Sequence, residues 1–67
     1  MSPFAKFGKG DKVVVKKGEL KGKRGVVVWG AEMPSYDGMA YAVRVDAGQG
    51  DASGQEITFG EGDLQAG

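Results

Sequence analysis

The sequence predicts one all-β domain, and three observations support that prediction. Thirteen glycines are spread through 67 residues, mostly between short apolar runs, as tight turns between strands require. Each glycine inside a helix would weaken that helix by about 1 kcal/mol. Several segments alternate apolar and polar residues with the period of two that a strand imposes, and no segment has the spacing of an amphipathic helix.

Four segments are predicted to be strands: residues 12–16, 25–29, 40–46 and 55–59. In the first and third, alternate valines and Tyr41 share one face, while charged residues such as Arg44 take the other. In the fourth, Ile57 and Phe59 face inward. Residues 60–64 then predict a short turn that closes the core with Leu64.

The second predicted strand is apolar on both faces. Alternation puts Val27 and Trp29 on one face and Val26 and Val28 on the other, which predicts a central strand or a subunit contact. Trp29, like Tyr41, is expected in the core. Because a domain of this size buries only about 60% of its extended-chain surface, a homo-oligomer is a reasonable expectation.

The connecting segments are predicted to be two loops, residues 31–39 and 47–54. The second consists of small polar residues and glycines, so we expect it to be mobile. Phe4 and Phe7 precede the first strand and are expected to cover one open end of the core. Residues 1–3 and 66–67 are expected to fray.

Composition narrows the possible functions. The chain has no cysteine and no histidine, so it has no disulfide framework, no conventional zinc ligand set and no histidine to activate a serine nucleophile. We therefore expect neither a catalytic residue nor a bound cofactor. No stretch approaches the roughly 20 apolar residues that span a bilayer, and residues 1–4 lack a signal-peptide pattern, so a cytoplasmic location away from membranes is expected.

The charges are separated along the chain although they sum to zero. All basic residues except Arg44 precede Gly25, and most acidic residues follow it, which predicts opposed surface patches. The densest basic segment is the candidate site for a phosphate backbone. Its glycines make the segment flexible and leave its backbone N–H groups open to an anion. Its residues are Lys16, Lys17, Lys21, Lys23 and Arg24.

Two further interpretations of this segment stay open. Glu19 places a negative charge among the lysines, so the segment could be a solvated loop or could bind an acidic protein surface instead. Tyr36 is the aromatic residue best placed in a loop to stack on a base, and it completes the predicted site.

Residues 10–28 resemble the KOW motif of ribosomal and transcription-elongation proteins. In that motif Gly-Asp opens a strand, alternate hydrophobic positions follow, and a Gly-x-x-Lys-Gly-Lys-x-Gly turn leads into the next strand. The matching positions are Gly10, Asp11, Val13, Val15, Gly18, Lys21, Gly22, Lys23, Gly25 and Val27. The resemblance implies a single SH3-like small barrel of about five antiparallel strands over residues 1–67, in contact with RNA or DNA.

The chain also resembles the plasmid-borne type II dihydrofolate reductases, whose short SH3-like subunits form a homotetramer around one pore. The shared residues are Phe7, Gly8, Gly10, Asp11, Val13, Lys16, Gly18, Trp29, Tyr41, Ala42 and Val43. That family binds dihydrofolate and NADPH through a Val-Gln-Ile-Tyr strand, and Glu56-Ile57-Thr58-Phe59 stands at its place here. The resemblance therefore implies the subunit fold and an oligomer rather than the reductase activity.

Overall fold

The protein is all-β, as the sequence predicted. A computed structural model describes residues 7–36 and 38–67, and within them it contains five strands and three short 3-10 helices. The strands are β1 (Lys12–Val15), β2 (Arg24–Met33), β3 (Gly38–Val45), β4 (Glu56–Gly60) and β5 (Leu64–Ala66). The 3-10 helices are Pro34–Tyr36, Gly50–Ala52 and Glu61–Asp63.

The five strands form one open antiparallel sheet in the order β4-β3-β2-β1-β5. Strand β2 is the longest and lies at the centre, where it pairs with both β1 and β3. β5 returns to pair with β1, so the two ends of the described chain meet at one side of the sheet. The edges of the sheet are β4 and β5.

One face of the sheet carries the hydrophobic core. Tyr41 and Leu64 are its largest fully buried side chains, at 1% and 0% exposure. The ring of Phe7 meets the ring of Tyr41 edge to face, with centroids 5.4 Å apart, an arrangement favoured by the aromatic quadrupoles. The core residues are Phe7, Val13, Val15, Val27, Tyr41, Val43, Phe59 and Leu64. The expected burial of Tyr41, Leu64 and the alternating valines is confirmed.

The strand bounds differ from prediction mainly at the β2–β3 hairpin. The sequence predicted a loop over residues 31–39, but Ala31 pairs with Ala40 and Glu32 with Met39, so both strands extend almost to the turn. Alanine, glutamate and methionine have little strand preference of their own. These residues form strands because they pair with each other across the hairpin, and the local sequence pattern does not reveal that pairing.

The predicted burial of Trp29 is wrong. A β-bulge shifts the register between Val27, which pairs with Val43, and Trp29, which pairs with Ala42. Val28 is the extra residue, and it reverses the alternation that follows it. Trp29 therefore lies on the face opposite Val27 and is 43% exposed.

The C-terminal residues lie in the sheet. Ala66 pairs with Val13, and the Gly67 N–H donates a 2.9 Å hydrogen bond to the Lys12 carbonyl. The sequence predicted that residues 66–67 fray. It did not predict β5, because a strand of three residues, Leu64–Ala66, is too short to show a pattern. The predicted turn before it is confirmed as the 3-10 helix Glu61–Asp63.

Some expectations concern residues 1–6 and 37, which lie outside the described part of the chain. They include the fraying of residues 1–3 and the packing of Phe4, whereas Phe7 is buried as expected. Within the described residues, no helix has the length and apolar character needed to cross a membrane.

The fold predicts that Gly25 tolerates no side chain. A Cβ there would lie 2.5 Å from both the Arg44 carbonyl oxygen and a Val43 methyl group. We expect Gly25→Ala to lower the free energy of unfolding by about 1 to 3 kcal/mol, the usual cost of overpacking, measured by urea denaturation.

The matched control is Gly62→Ala, because a Cβ at Gly62 meets no atom within 4 Å. This control should leave stability unchanged or slightly raised. Equal stability of the two variants would show that β2 and β3 approach less closely than described.

Candidate nucleic-acid interface

The β1–β2 connection, residues 16–24, forms a closed and anchored turn, which we call the basic turn. The Gly22 N–H donates to the Val15 carbonyl at 2.7 Å, and the Val15 N–H donates to the Lys23 carbonyl at 2.9 Å. Gly18 and Gly22 have φ angles of 83° and 91°, a left-handed conformation that glycine adopts without strain. The backbone of the basic turn is thus fixed by its own hydrogen bonds.

A single apolar side chain attaches the basic turn to the core. Leu20 is half-buried and packs against the core cluster, while its carbonyl accepts a 2.9 Å hydrogen bond from the Lys23 N–H. The cations around it point away from the core: Lys17, Lys21 and Arg24 are exposed, and Lys16 is half-buried. The structure thus brings together the five basic residues that the sequence predicted as a site.

The basic turn has no compensating ion pair in the described part of the chain. The one ion pair found across residues 7–36 and 38–67 joins Arg44 to Glu56 at 3.6 Å, with both side chains well exposed. Exposed pairs of this kind contribute little stability. Asp46 and Asp63 lie beside the turn through backbone hydrogen bonds to Arg24 and Lys16, but their carboxylates form no ion pair with it.

The β3–β4 loop, residues 46–55, packs beside the basic turn and is held by hydrogen bonds. The Arg24 N–H donates to the Gln49 side-chain oxygen at 3.0 Å, and the Gln49 N–H donates to the Ser53 hydroxyl at 2.8 Å. Ala52 in the short 3-10 helix is buried. The prediction of a mobile loop rested on its small polar residues and glycines and stays a prediction. Composition does not reveal that Gln49 and Ser53 form these hydrogen bonds.

The same loop also lies against one of the cations. A Cβ at Gly50 would lie 3.3 Å from the Lys23 ammonium nitrogen, and Lys23 is half-buried as a result. Glycine at position 50, with a φ of 76°, therefore leaves the space in which the Lys23 amine sits beside the backbone.

The structure places Tyr36 apart from the predicted cationic site. Its ring is 41% exposed and packs over Gly60, at a cleft between the β2–β3 hairpin and the last 3-10 helix. The charged residues that line this cleft are Glu32, Glu61 and Asp63. Three carboxylates repel phosphate, so the surroundings of Tyr36 suit a cation better than a nucleic acid.

Trp29 is the aromatic residue that sequence reasoning assigned to the core and that the structure exposes. Residues directly opposite one another on paired strands share a face. Trp29 therefore shares the outer face of the sheet, the side opposite the core, with Ala42 and Thr58. No sequence signal could have found this exposure, because the bulge at Val28 depends on the register between β2 and β3.

Strand β4 holds the residues that stand at the pore strand of the type II reductases. Phe59 is buried in the core cluster, and Ile57 packs partly against the same cluster. Both apolar side chains thus serve the core of their own subunit. Glu56 and Thr58 occupy the outer face, where Glu56 pairs with Arg44.

Comparison of the chain with protein-family models, curated proteins and solved structures finds no match.

The hydrogen bond from Arg24 to Gln49 predicts a local effect of mutation. Gln49→Ala should leave the Arg24 N–H without this acceptor and speed its hydrogen exchange about 2- to 10-fold, as expected for the net loss of one hydrogen bond. NMR-detected exchange measures this directly. Gln65→Ala, on the exposed side of β5, is the control and should not change the rate at Arg24; an unchanged rate in Gln49→Ala would contradict the described contact.

Proposed function

We propose that this chain is a small SH3-like, KOW-like barrel that binds the phosphate backbone of RNA or DNA through the basic turn. The observation that carries the proposal is the set of five cations on a fixed turn, without an ion pair among the described residues. Lysine and arginine side chains that neutralise phosphates release the counterions condensed on the nucleic acid, and this release favours binding. The proposed role requires no cofactor and no catalytic residue.

Two features of the sheet support the barrel. β2 has ten residues and a bulge, and bulges bend and twist a strand strongly enough to curl a small sheet. The chain order also brings β5 back beside β1, leaving β4 and β5 as the strands that would close it. The fold alone does not specify a ligand, so the proposed ligand depends on the charges of the turn.

The geometry of the turn supports phosphate as its ligand. The glycines at positions 18 and 22 leave open space around the backbone, since a Cβ at either would contact nothing within 4 Å. A phosphate can therefore approach the backbone closely while the flanking amines neutralise it. Glu19 is exposed and can turn away from the ligand, whereas the acidic cleft around Tyr36 contributes nothing to this proposal.

Salt dependence is the first test. If the five cations each neutralise one phosphate, the logarithm of affinity should fall against the logarithm of salt concentration with a slope of about −3.5 for a single strand and −4.5 for a duplex. Fluorescence anisotropy of labelled oligonucleotides measures the slope. Binding that is insensitive to salt would contradict the proposal.

Charge reversal is the second test. The triple variant Lys21→Glu, Lys23→Glu, Arg24→Glu should flatten the slope by about 2 for a single strand and weaken binding at every salt concentration. The control is Lys9→Glu, which reverses an exposed charge in the turn before β1 and should have little effect. If the triple variant bound with the affinity of the parent protein, the basic turn would not be part of the interface. Competition by poly-glutamate but not by RNA would instead indicate an acidic protein partner.

A further inference from the structure

The outer face of the sheet carries an exposed tryptophan with cations on the neighbouring strands. Trp29 is 43% exposed, and its outward orientation is fixed by the bulge at Val28. The next residue, Gly30, takes the inward-facing position opposite Tyr41. A Cβ at Gly30 would lie 2.7 Å from the Tyr41 ring, so this inward position accepts no larger side chain.

The outer face between Trp29 and the basic turn is apolar in the middle, with cations on both neighbouring strands. Val26 and Val28 are half-buried and line a shallow groove whose charged residues are Arg44 and Asp46. The register places Lys12 and Arg44 on either side of Val26. Arg24, the last residue of the basic turn, lies two positions before Val26 on the same face.

The basic turn and the tryptophan are therefore two ends of one surface. Arg24 and Trp29 are five positions apart along β2, about 17 Å at the rise of an extended strand. The acidic residues of this surface are Glu56, which is paired with Arg44, and Asp46, which lies beside Arg24. The other cations remain uncompensated within the described residues.

We infer that the outer face is a stacking platform for the bases of single-stranded RNA or DNA whose phosphates contact the basic turn. This inference rests on the proposed function and specifies its ligand. An aromatic ring stacks on any base because every base has a π-face, whereas the bases of a duplex are already stacked on one another. The platform therefore selects an unpaired strand, and the cations between Trp29 and the basic turn contact its backbone on that side of the stacked base.

The chain offers a direct probe, because Trp29 is its only tryptophan. Intrinsic fluorescence thus reports on this one ring. We expect a single-stranded oligonucleotide to quench the emission, while the duplex of the same sequence and inorganic polyphosphate, which engage only the basic turn, leave it nearly unchanged.

Mutation at Trp29 gives the complementary test. Trp29→Leu should weaken single-strand binding about 5-fold or more, the effect of losing one stacked base, and should leave duplex binding unchanged. Trp29→Phe keeps a smaller ring and should fall between Trp29→Leu and the parent. The control is Tyr36→Leu, which removes a ring of similar exposure from the acidic cleft and should change neither affinity. Circular dichroism of each variant checks the fold.

The outcomes separate the two proposals. One outcome is salt-dependent binding that does not quench Trp29, with the parent affinity retained in Trp29→Leu. This outcome would overturn the stacking platform and leave the basic turn as the interface. Absence of binding to any nucleic acid would overturn both. A homo-oligomer in sedimentation whose free emission is already that of a buried tryptophan would show that a second copy covers this face, and would overturn the platform.

Discussion

The close packing of β2 between β1 and β3 is the constraint on which the rest of the structure depends. At its start Gly25 lies against the Arg44 carbonyl and Val43, and further along Gly30 lies against the Tyr41 ring. Between these two contacts β2 must pass from one register to another, and the bulge at Val28 accommodates the change. The start of β2 fixes the end of the basic turn, and the bulge fixes the orientation of Trp29.

The charge separation along the chain survives folding as a separation on the surface. Five of the early cations lie on the basic turn, while Glu32, Glu61 and Asp63 line a cleft beside Tyr36. The net charge of the whole chain is zero, but the basic turn is locally positive and the cleft is locally negative. The two regions are not fully segregated, because Asp63 accepts a backbone hydrogen bond from Lys16 and Asp46 donates one to Arg24. Local charge, rather than net charge, decides what each surface attracts.

Much of the fold could be predicted from the sequence, because valines at alternate positions and glycines between them specify strands and turns locally. Val13, Val15, Val43 and Val45 are all buried as that pattern predicts. What could not be predicted depends on partners distant in the chain. Trp29 follows a bulge set by β3, and β5 is recognisable only beside β1.

The candidate site shows the same division. The five cations are contiguous in sequence and so were found from it, whereas Gln49, which binds the Arg24 N–H from a loop 25 residues away, has no local signal. Tyr36 was predicted to be exposed and is, but two of its three acidic neighbours, Glu61 and Asp63, come from the other end of the chain. Long-range contacts thus determine which exposed aromatic ring accompanies the cations.

The most direct test of the central claim, that the basic turn is the interface, is to map amide chemical shifts during titration with RNA. If it is, the perturbed amides should concentrate in residues 16–24, with the shifts of Gly18 and Gly22 among the largest, and the changes should disappear at high salt. Perturbations confined to the cleft of Glu32, Tyr36 and Glu61, or none in the turn while RNA binds, would contradict it.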